Sequence, residues 1–506
     1  MADATLMTPP TAEPTPKRVF PWSQRVLLVA IGQSIVKAGQ LLMAAVLVRF
    51  LSDQEWAKVA LLLSIYQVAT GIGGLNLQQT IYFFLGRTPV EGRRIFLIQN
   101  VALLLASALV TALVLVTLAS RLGGGRFAIE PMVYLIAIVV LIEIPTSGIG
   151  EILVSCERVA TATRIQVLLA LTQLVVVCVP ILLTGRAEAG FQGLLIYAGL
   201  RLIVFRRVVR DNTTPPPPPR QWPWQRLDRA RIREQLVYVA PLSLSTSLNL
   251  LSRNVDKWLV AAFDPLAYGA FAIAATELPL VSVLAGASST VMVTRLVRAF
   301  RVGDFAYARQ AFVAGGGRLS FVVLPTAVGL MLAGPELLSL LFTDSVAVAW
   351  LPFALTAGIL FQRVCEYGVV MRAAGDTASL WWFNVIYLTC TAGFGYLGVH
   401  LFGAVGVAVG TLMANGVVWV FNMSRIRRAF RCAWRDVFPW TVYGQVLAAA
   451  TGAGLLAWGA SVWVEPGLLR LGVKAAVFVP IYLGVVRWAG IRRHVLPMPE
   501  EPDDLN

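Results

Sequence analysis

Fourteen stretches of about 20 residues run through this chain almost without charge, and no other feature limits its fold so severely. They lie near 26–50, 57–85, 95–119, 127–148, 165–184, 190–205, 235–263, 267–293, 313–333, 346–370, 378–402, 404–423, 441–463 and 468–488. A helix of such a run crosses the roughly 30 Å hydrocarbon core of a bilayer. The strands of a membrane barrel alternate polar and apolar residues, which these runs do not. Of the 506 residues 57% are hydrophobic and 14% charged, whereas soluble domains average about 45–50% and 25%. A soluble globular protein is excluded. The expected fold is an all-α polytopic membrane protein of about fourteen transmembrane helices.

The formal net charge of +15 would suggest nucleic acid in a soluble protein. In a membrane protein, excess Lys and Arg gathers instead in cytoplasmic loops. With the N-terminus in the cytoplasm and loops alternating, about 30 of the 42 Lys and Arg fall on that side, about 7 outside and about 5 in the membrane. The richest segments are 206–233, 295–318 and 425–435. Both termini in the cytoplasm are expected, and no nucleic-acid partner. The chain divides into a cytoplasmic tail 1–24, a six-helix half 25–205, and a basic linker 206–234 whose five-proline run 215–219 favours a stiff extended spacer. A second six-helix half 235–424, a basic loop 425–440, two C-terminal spans 441–488 and a tail 489–506 follow. The five cysteines are scattered and there are two histidines, which supports neither a metal site nor a histidine base.

The two halves repeat. On a shift of 212 residues, Leu51-Ser52-Asp53-Gln54-Glu55-Trp56-Ala57 overlies Phe263-Asp264-Pro265-Leu266-Ala267-Tyr268-Gly269. Each is a short polar turn after a long apolar run, closed by an aromatic and a small residue. The same shift carries a polar stripe in the first helix, Gln33, Lys37 and Gln40, onto Ser245, Asn249 and Ser252 in the seventh, where Arg253, Asp256 and Lys257 adjoin it. Polar groups inside a span are costly and face a cavity or one another. These stripes therefore point to a shared aqueous cavity between the halves, or to a polar seam that orders helix packing. Arg253 with Asp256, and Arg363 with Glu366, stand at i, i+3, where mutual neutralisation competes with a functional role. Glu143 and Glu277 have no local partner and are candidate proton or cation sites. Gly403, Gly406 and Gly410 suit close helix contact. No G-x-x-x-x-G-K-[ST] motif is present, so ATP hydrolysis is not expected, and no outward loop is long enough for a catalytic domain.

At these residues the chain resembles the polysaccharide-transport flippases of the multidrug/oligosaccharidyl-lipid/polysaccharide exporter superfamily. The resemblance is carried by Arg49-Phe50-Leu51-Ser52-Asp53-Gln54-Glu55-Trp56, by Asn254-Val255-Asp256-Lys257-Trp258-Leu259-Val260 with Tyr268-Gly269, and by Ala373-Ala374-Gly375-Asp376-Thr377. Trp56-Ala57 stands where Tyr-Gly is usual in the family. The resemblance spans about residues 20–430 through degenerate motifs. It implies movement of an undecaprenyl-diphosphate-linked oligosaccharide between the leaflets of a bacterial inner membrane for lipopolysaccharide O-antigen, capsule or exopolysaccharide, without enzymatic activity or a cofactor. Lys37, Arg253, Lys257 and Arg363 would face the diphosphate, and Gln33, Gln40, Ser245, Asn249 and Ser252 the sugars. A proton or sodium gradient would couple through Asp256, Glu277, Glu366 or Glu143. Partners are the lipid-linked substrate, membrane lipids, and the polymerase and chain-length proteins of the same pathway. The alternatives are a drug or cation antiporter of the same superfamily and a membrane-embedded glycan polymerase or ligase.

The charge asymmetry sets a test of topology. A cysteine introduced into the 206–234 linker should resist an impermeant thiol reagent in intact cells, while cysteines in the loops at Asp264 and His400 should react. Labelling of the linker overturns this orientation.

Overall fold

The computed structural model describes residues 22–85, 90–123, 130–156, 158–213, 229–276, 292, 295–297, 299–365 and 367–491. Among them every regular element is a helix. The first half holds α1 (Trp22–Phe50), α2 (Asp53–Gly73), α3 (Leu77–Phe84), α4 (Val90–Gly123), α5 (Glu130–Glu143), α6 (Ile149–Ser155), α7 (Val159–Thr184) and α8 (Ala187–Asn212). The second continues with α9 (Arg229–Phe263), α10 (Tyr268–Ala274), α11 (Phe305–Leu341), the single turn α12 (Asp344–Ala347), α13 (Trp350–Gly358), α14 (Tyr367–Ala373) and α15 (Thr377–Phe430). The last two are α16 (Trp440–Ser461) and α17 (Leu468–Trp488). Eight stretches of the described residues are long and apolar enough to cross a membrane, among them Asp53–Ile81, Val159–Thr184 and Phe305–Leu341. With no water in hydrocarbon to bond the backbone, each span must close its own hydrogen bonds, and a helix does so.

The 54 residues of α15 form two arms rather than one rod. Phe402 and Gly403 leave helical geometry, and Gly403 adopts φ 57° with ψ −141°, a conformation that glycine reaches without a Cβ clash. The reversal falls between the apolar runs 378–402 and 404–423. The arms then touch backbone to backbone, because a Cβ on Gly406 would overlap the main chain of Gly398 and one on Gly410 that of Phe394. Asp264, in the turn after α9, accepts a hydrogen bond from the Ala404 N–H at 3.2 Å and caps the second arm.

Among the described residues three spans are interrupted. The run 57–85, expected as one helix, divides at Gly74–Asn76, where Leu75 and Asn76 take positive φ. Asn tolerates that conformation, and its side-chain amide donates to Thr246 Oγ1 at 2.6 Å and to the Leu242 carbonyl at 3.2 Å, both in α9. The second interruption, from Ile144 through Pro145 to Gly148, separates α5 from α6. The third lies between α13 and α14, where a tight 3-10 turn, Ile359–Gln362, gives way to open chain. Under the 212-residue shift, 144–148 falls on 356–360, so the second and third breaks occupy nearly the same place in each half. Carbonyls freed at the third break are bonded by aromatic side chains. Tyr443 donates to the Phe361 carbonyl at 3.0 Å, and Tyr367 donates to that of Gln362 while accepting from Trp419 Nε1 at 2.8 Å.

Two large cores form. One gathers α1, α2, α4, α5 and α8 with α10 and the turn of α15, around Leu62, Ile136, Tyr268 and Phe271. The other joins α11, α14 and the second arm of α15 to the C-terminal pair α16 and α17. The C-terminal helices therefore belong to the second half's core.

The glycine contact in α15 yields a stability test. Gly406→Ala should destabilise the protein by roughly 1–3 kcal/mol through forced separation of the arms, read as a lower unfolding midpoint in detergent. Gly444→Ala, where nothing lies within 4 Å of the added methyl, should leave the midpoint unchanged or raise it.

Candidate functional site

The polar stripe of α9 serves two neighbours. Ser245 Oγ accepts from Asn384 Nδ2 at 2.9 Å, and Asn249 Nδ2 lies 3.5 Å from Asn384 Oδ1, tying α9 to the first arm of α15. Ser252 is buried and donates back to the Leu248 carbonyl at 2.7 Å. Asn254, one residue off the expected stripe, is buried against α2, where its Oδ1 accepts from Ser64 Oγ at 2.9 Å. Trp258 Nε1 donates to the same Ser64 hydroxyl at 3.0 Å. Much of the stripe is thus a seam between helices. Arg253 remains exposed, Lys257 is half-buried, and the buried Asp256 carboxylate accepts from the Lys257 N–H at 2.8 Å. Arg363 is half-buried at the break between α13 and α14, and Gln40 on α1 is exposed. Glu277 and Glu366 lie outside the described residues, as do the side chains of Gln33 and Lys37.

Glu143, without a partner along its own helix, meets two from other helices. Its carboxylate accepts from the Arg201 guanidinium of α8 and from the Tyr66 hydroxyl of α2, at the point where α5 ends. The partner stands 58 residues along the chain, beyond any local pattern. The pair binds three helices of the first half together, and a carboxylate so held is neutralised in place.

The halves meet along α2, α3 and α9 and at the end where α1 turns into α2. Along the first contact, Ser243 donates to the Leu75 carbonyl, and Gly71 leaves room for the Leu250 side chain. At the turn, Trp56 Nε1 donates to the Gly269 carbonyl at 2.9 Å. These residues belong to the two repeated segments, so the duplicated turns pack directly on each other. Arg49, at the end of α1, donates to the Phe342 carbonyl at 3.1 Å and to that of Leu340, capping the end of α11 from the opposite half. Ser345 Oγ donates to Asp53 Oδ1 at 3.3 Å beside it. That end of the interface is closed.

Four polar residues were not anticipated: Asn384, Arg201, and the buried pair of Glu336 on α11 with Lys474 on α17. Each sits in an apolar run, Lys474 with Arg470 one turn before it, and a charge or amide there is the signal that could have found it.

No family model matches the sequence, and no curated protein does. Solved structures do match. The lipid II flippase MurJ in an inward closed conformation superposes with a TM-score of 0.71 at 11% identity, over 92% of this chain and 100% of its own. A multidrug resistance MATE family transporter of the MOP superfamily, facing inward, gives 0.62 at 14% identity, over 80% of this chain and 99% of its own. A MOP superfamily transporter from Pyrococcus furiosus, described as having a binding pocket of reverse polarity, gives 0.56 at 16% over 81% and 97%. At such identities the likeness is one of fold. The chain shares the architecture of these multi-pass transporters.

The Glu143–Arg201 pair is testable by a double-mutant cycle. Glu143→Leu or Arg201→Met alone should destabilise the protein by about 3–5 kcal/mol by leaving a buried charge unpaired. The double replacement by Leu and Met should recover most of that loss, measured as the unfolding midpoint in detergent.

Proposed function

We propose that this protein is a flippase that moves a lipid-linked oligosaccharide, carried on undecaprenyl diphosphate, from the cytoplasmic to the periplasmic leaflet of a bacterial inner membrane. One observation supports it above the others. The lipid II flippase is matched over 92% of this chain, whereas the MATE transporters are matched over 80–81%. The difference is chain on the scale of the C-terminal pair α16 and α17. The molecule acts by alternating access of its two halves, and the contacts of Arg49, Asp53 and Trp56 across the interface are those that must part.

In this reading Lys37, Arg253, Lys257 and Arg363 neutralise the diphosphate. Arginine grips phosphate with a planar fork and lysine acts as a point charge. Gln33 and Gln40 on α1, with Ser245, Asn249 and Ser252 on α9, hydrate the sugars as the seam opens. Asp256, Glu277 and Glu366 couple transport to a proton or sodium gradient. Both termini face the cytoplasm, and the glycan is an O-antigen, capsule or exopolysaccharide unit.

A drug or cation antiporter is the second reading, supported by the MATE transporters that match at 97–99% of their own length. Leaflet-resolved detection of lipid-linked units separates the two. Lys37→Ala or Arg253→Ala should abolish surface glycan, with the protein still inserted, and leave lipid-linked units on the cytoplasmic side. Units stranded on the periplasmic side would point to a polymerase or ligase, and undisturbed units to an antiporter. Either result sinks the flippase reading.

A further inference from the structure

A groove of about 590 Å³ opens on the outer flank of the second half, between α11, α13, α16 and α17. Its walls are apolar, from Val328, Leu332, Phe361, Leu455 and Trp458, and among the described residues its ionisable lining is Glu336, Arg470 and Lys474. Lys474 is buried and fully committed: its ammonium donates to both carboxylate oxygens of Glu336 at 2.7 Å and to the Leu332 carbonyl at 2.8 Å. Arg470 lies nearer the mouth. Its Nε donates to the Ser461 carbonyl at 3.0 Å and its Nη2 to that of Val462 at 3.3 Å, with Nε 3.9 Å from Glu336. Nη1 is the arm of the guanidinium that these contacts leave unused. With Glu336 cancelling Lys474, the groove keeps one net positive charge, at Arg470.

Its dimensions match one leaflet. From Glu336 down α11 to Val328, and from Ser461 down α16 to Thr451, the lining runs about 12–15 Å at 1.5 Å per residue, half of a roughly 30 Å hydrocarbon core. Exposed tryptophans stand at the charged mouth: Trp350 and Trp458 in the lining and Trp463 next to the lining residue Val462, the last of them 93% exposed. Tryptophan favours the membrane–water boundary, which sets Arg470 at headgroup level.

We infer that this groove is a binding site for one anionic phospholipid of the surrounding leaflet, its phosphate on Arg470 and an acyl chain along α11 and α16. The single net charge suits a singly charged headgroup, and the one-leaflet depth suits an acyl chain. The site is separate from the cationic residues assigned to cargo and does not depend on what the cargo is.

The test uses the full chain in nanodiscs of dioleoylphosphatidylglycerol and dioleoylphosphatidylcholine in equal amounts, extracted into detergent for native mass spectrometry. One phosphatidylglycerol should stay with each chain, about fivefold preferred over phosphatidylcholine, the size of one Arg contact at a membrane surface. Arg470→Gln should lose the preference and Arg470→Lys should keep it. Thr451→Trp fills the deep end without touching Arg470 or its carbonyl partners, and should retain one phosphatidylglycerol fewer than the native chain. If Arg470→Gln fails to fold, Thr451→Trp decides alone. Equal retention by the native chain and Thr451→Trp, or equal retention of the two lipids, overturns the site.

Discussion

In hydrocarbon, a backbone amide or carbonyl released from its helix finds no water, so every interruption of a span must be answered from within the protein. The architecture follows that requirement closely. Tyr443 and Tyr367 reach the carbonyls freed between α13 and α14. Asp264 meets the first amide after the reversal at Gly403, and Arg49 crosses from one half to cover the last carbonyls of α11 in the other. Tyr443, Asp264 and Arg49 each reach in from a distant part of the chain, and Tyr367 from the helix that follows its break. The broken helices are thereby also the points where helices are fastened together, and the interface between halves is built partly from such debts.

The helical architecture was legible in the apolar runs because the cost of a charge in lipid acts on every residue of a span and leaves a strong pattern. The reversal inside α15 was legible too, since Gly403 and its neighbours at 406 and 410 interrupt an otherwise continuous run. The division of α2 from α3 was not. Gly74-Leu75-Asn76 is no more polar than its surroundings, and the partners that stabilise Asn76 lie in α9, more than 160 residues on. The candidate site was harder to read for the same reason. A spacing of i, i+3 or i+4 reports only which residues share a helix face. It does not reveal that Asn384 lies opposite Ser245 and Asn249, or that Glu143 meets Arg201.

The duplicated turn shows how one ancestral segment can take two roles without changing place. Trp56 and Tyr268 occupy equivalent positions, and both are buried where the halves touch. Trp56 spends its indole N–H on the Gly269 carbonyl, and Gly269 stands under the shift where the first half has Ala57. A Cβ at 269 would lie 3.1 Å from the Trp56 ring, so the smaller residue in the second copy makes room for the larger aromatic in the first.

The contact between Gly398 and Gly406 also sets how force passes through the molecule. Side-chain contacts such as that of Ser64 with Asn254 can yield by a change of rotamer, which gives a joint play. Two backbones pressed together have no rotamers to change. The two arms of α15 therefore meet without that play. The joints from α15 to α9, at Asn384 and Asp264, and from α9 to α2, at Ser64, are made by side chains and keep that freedom.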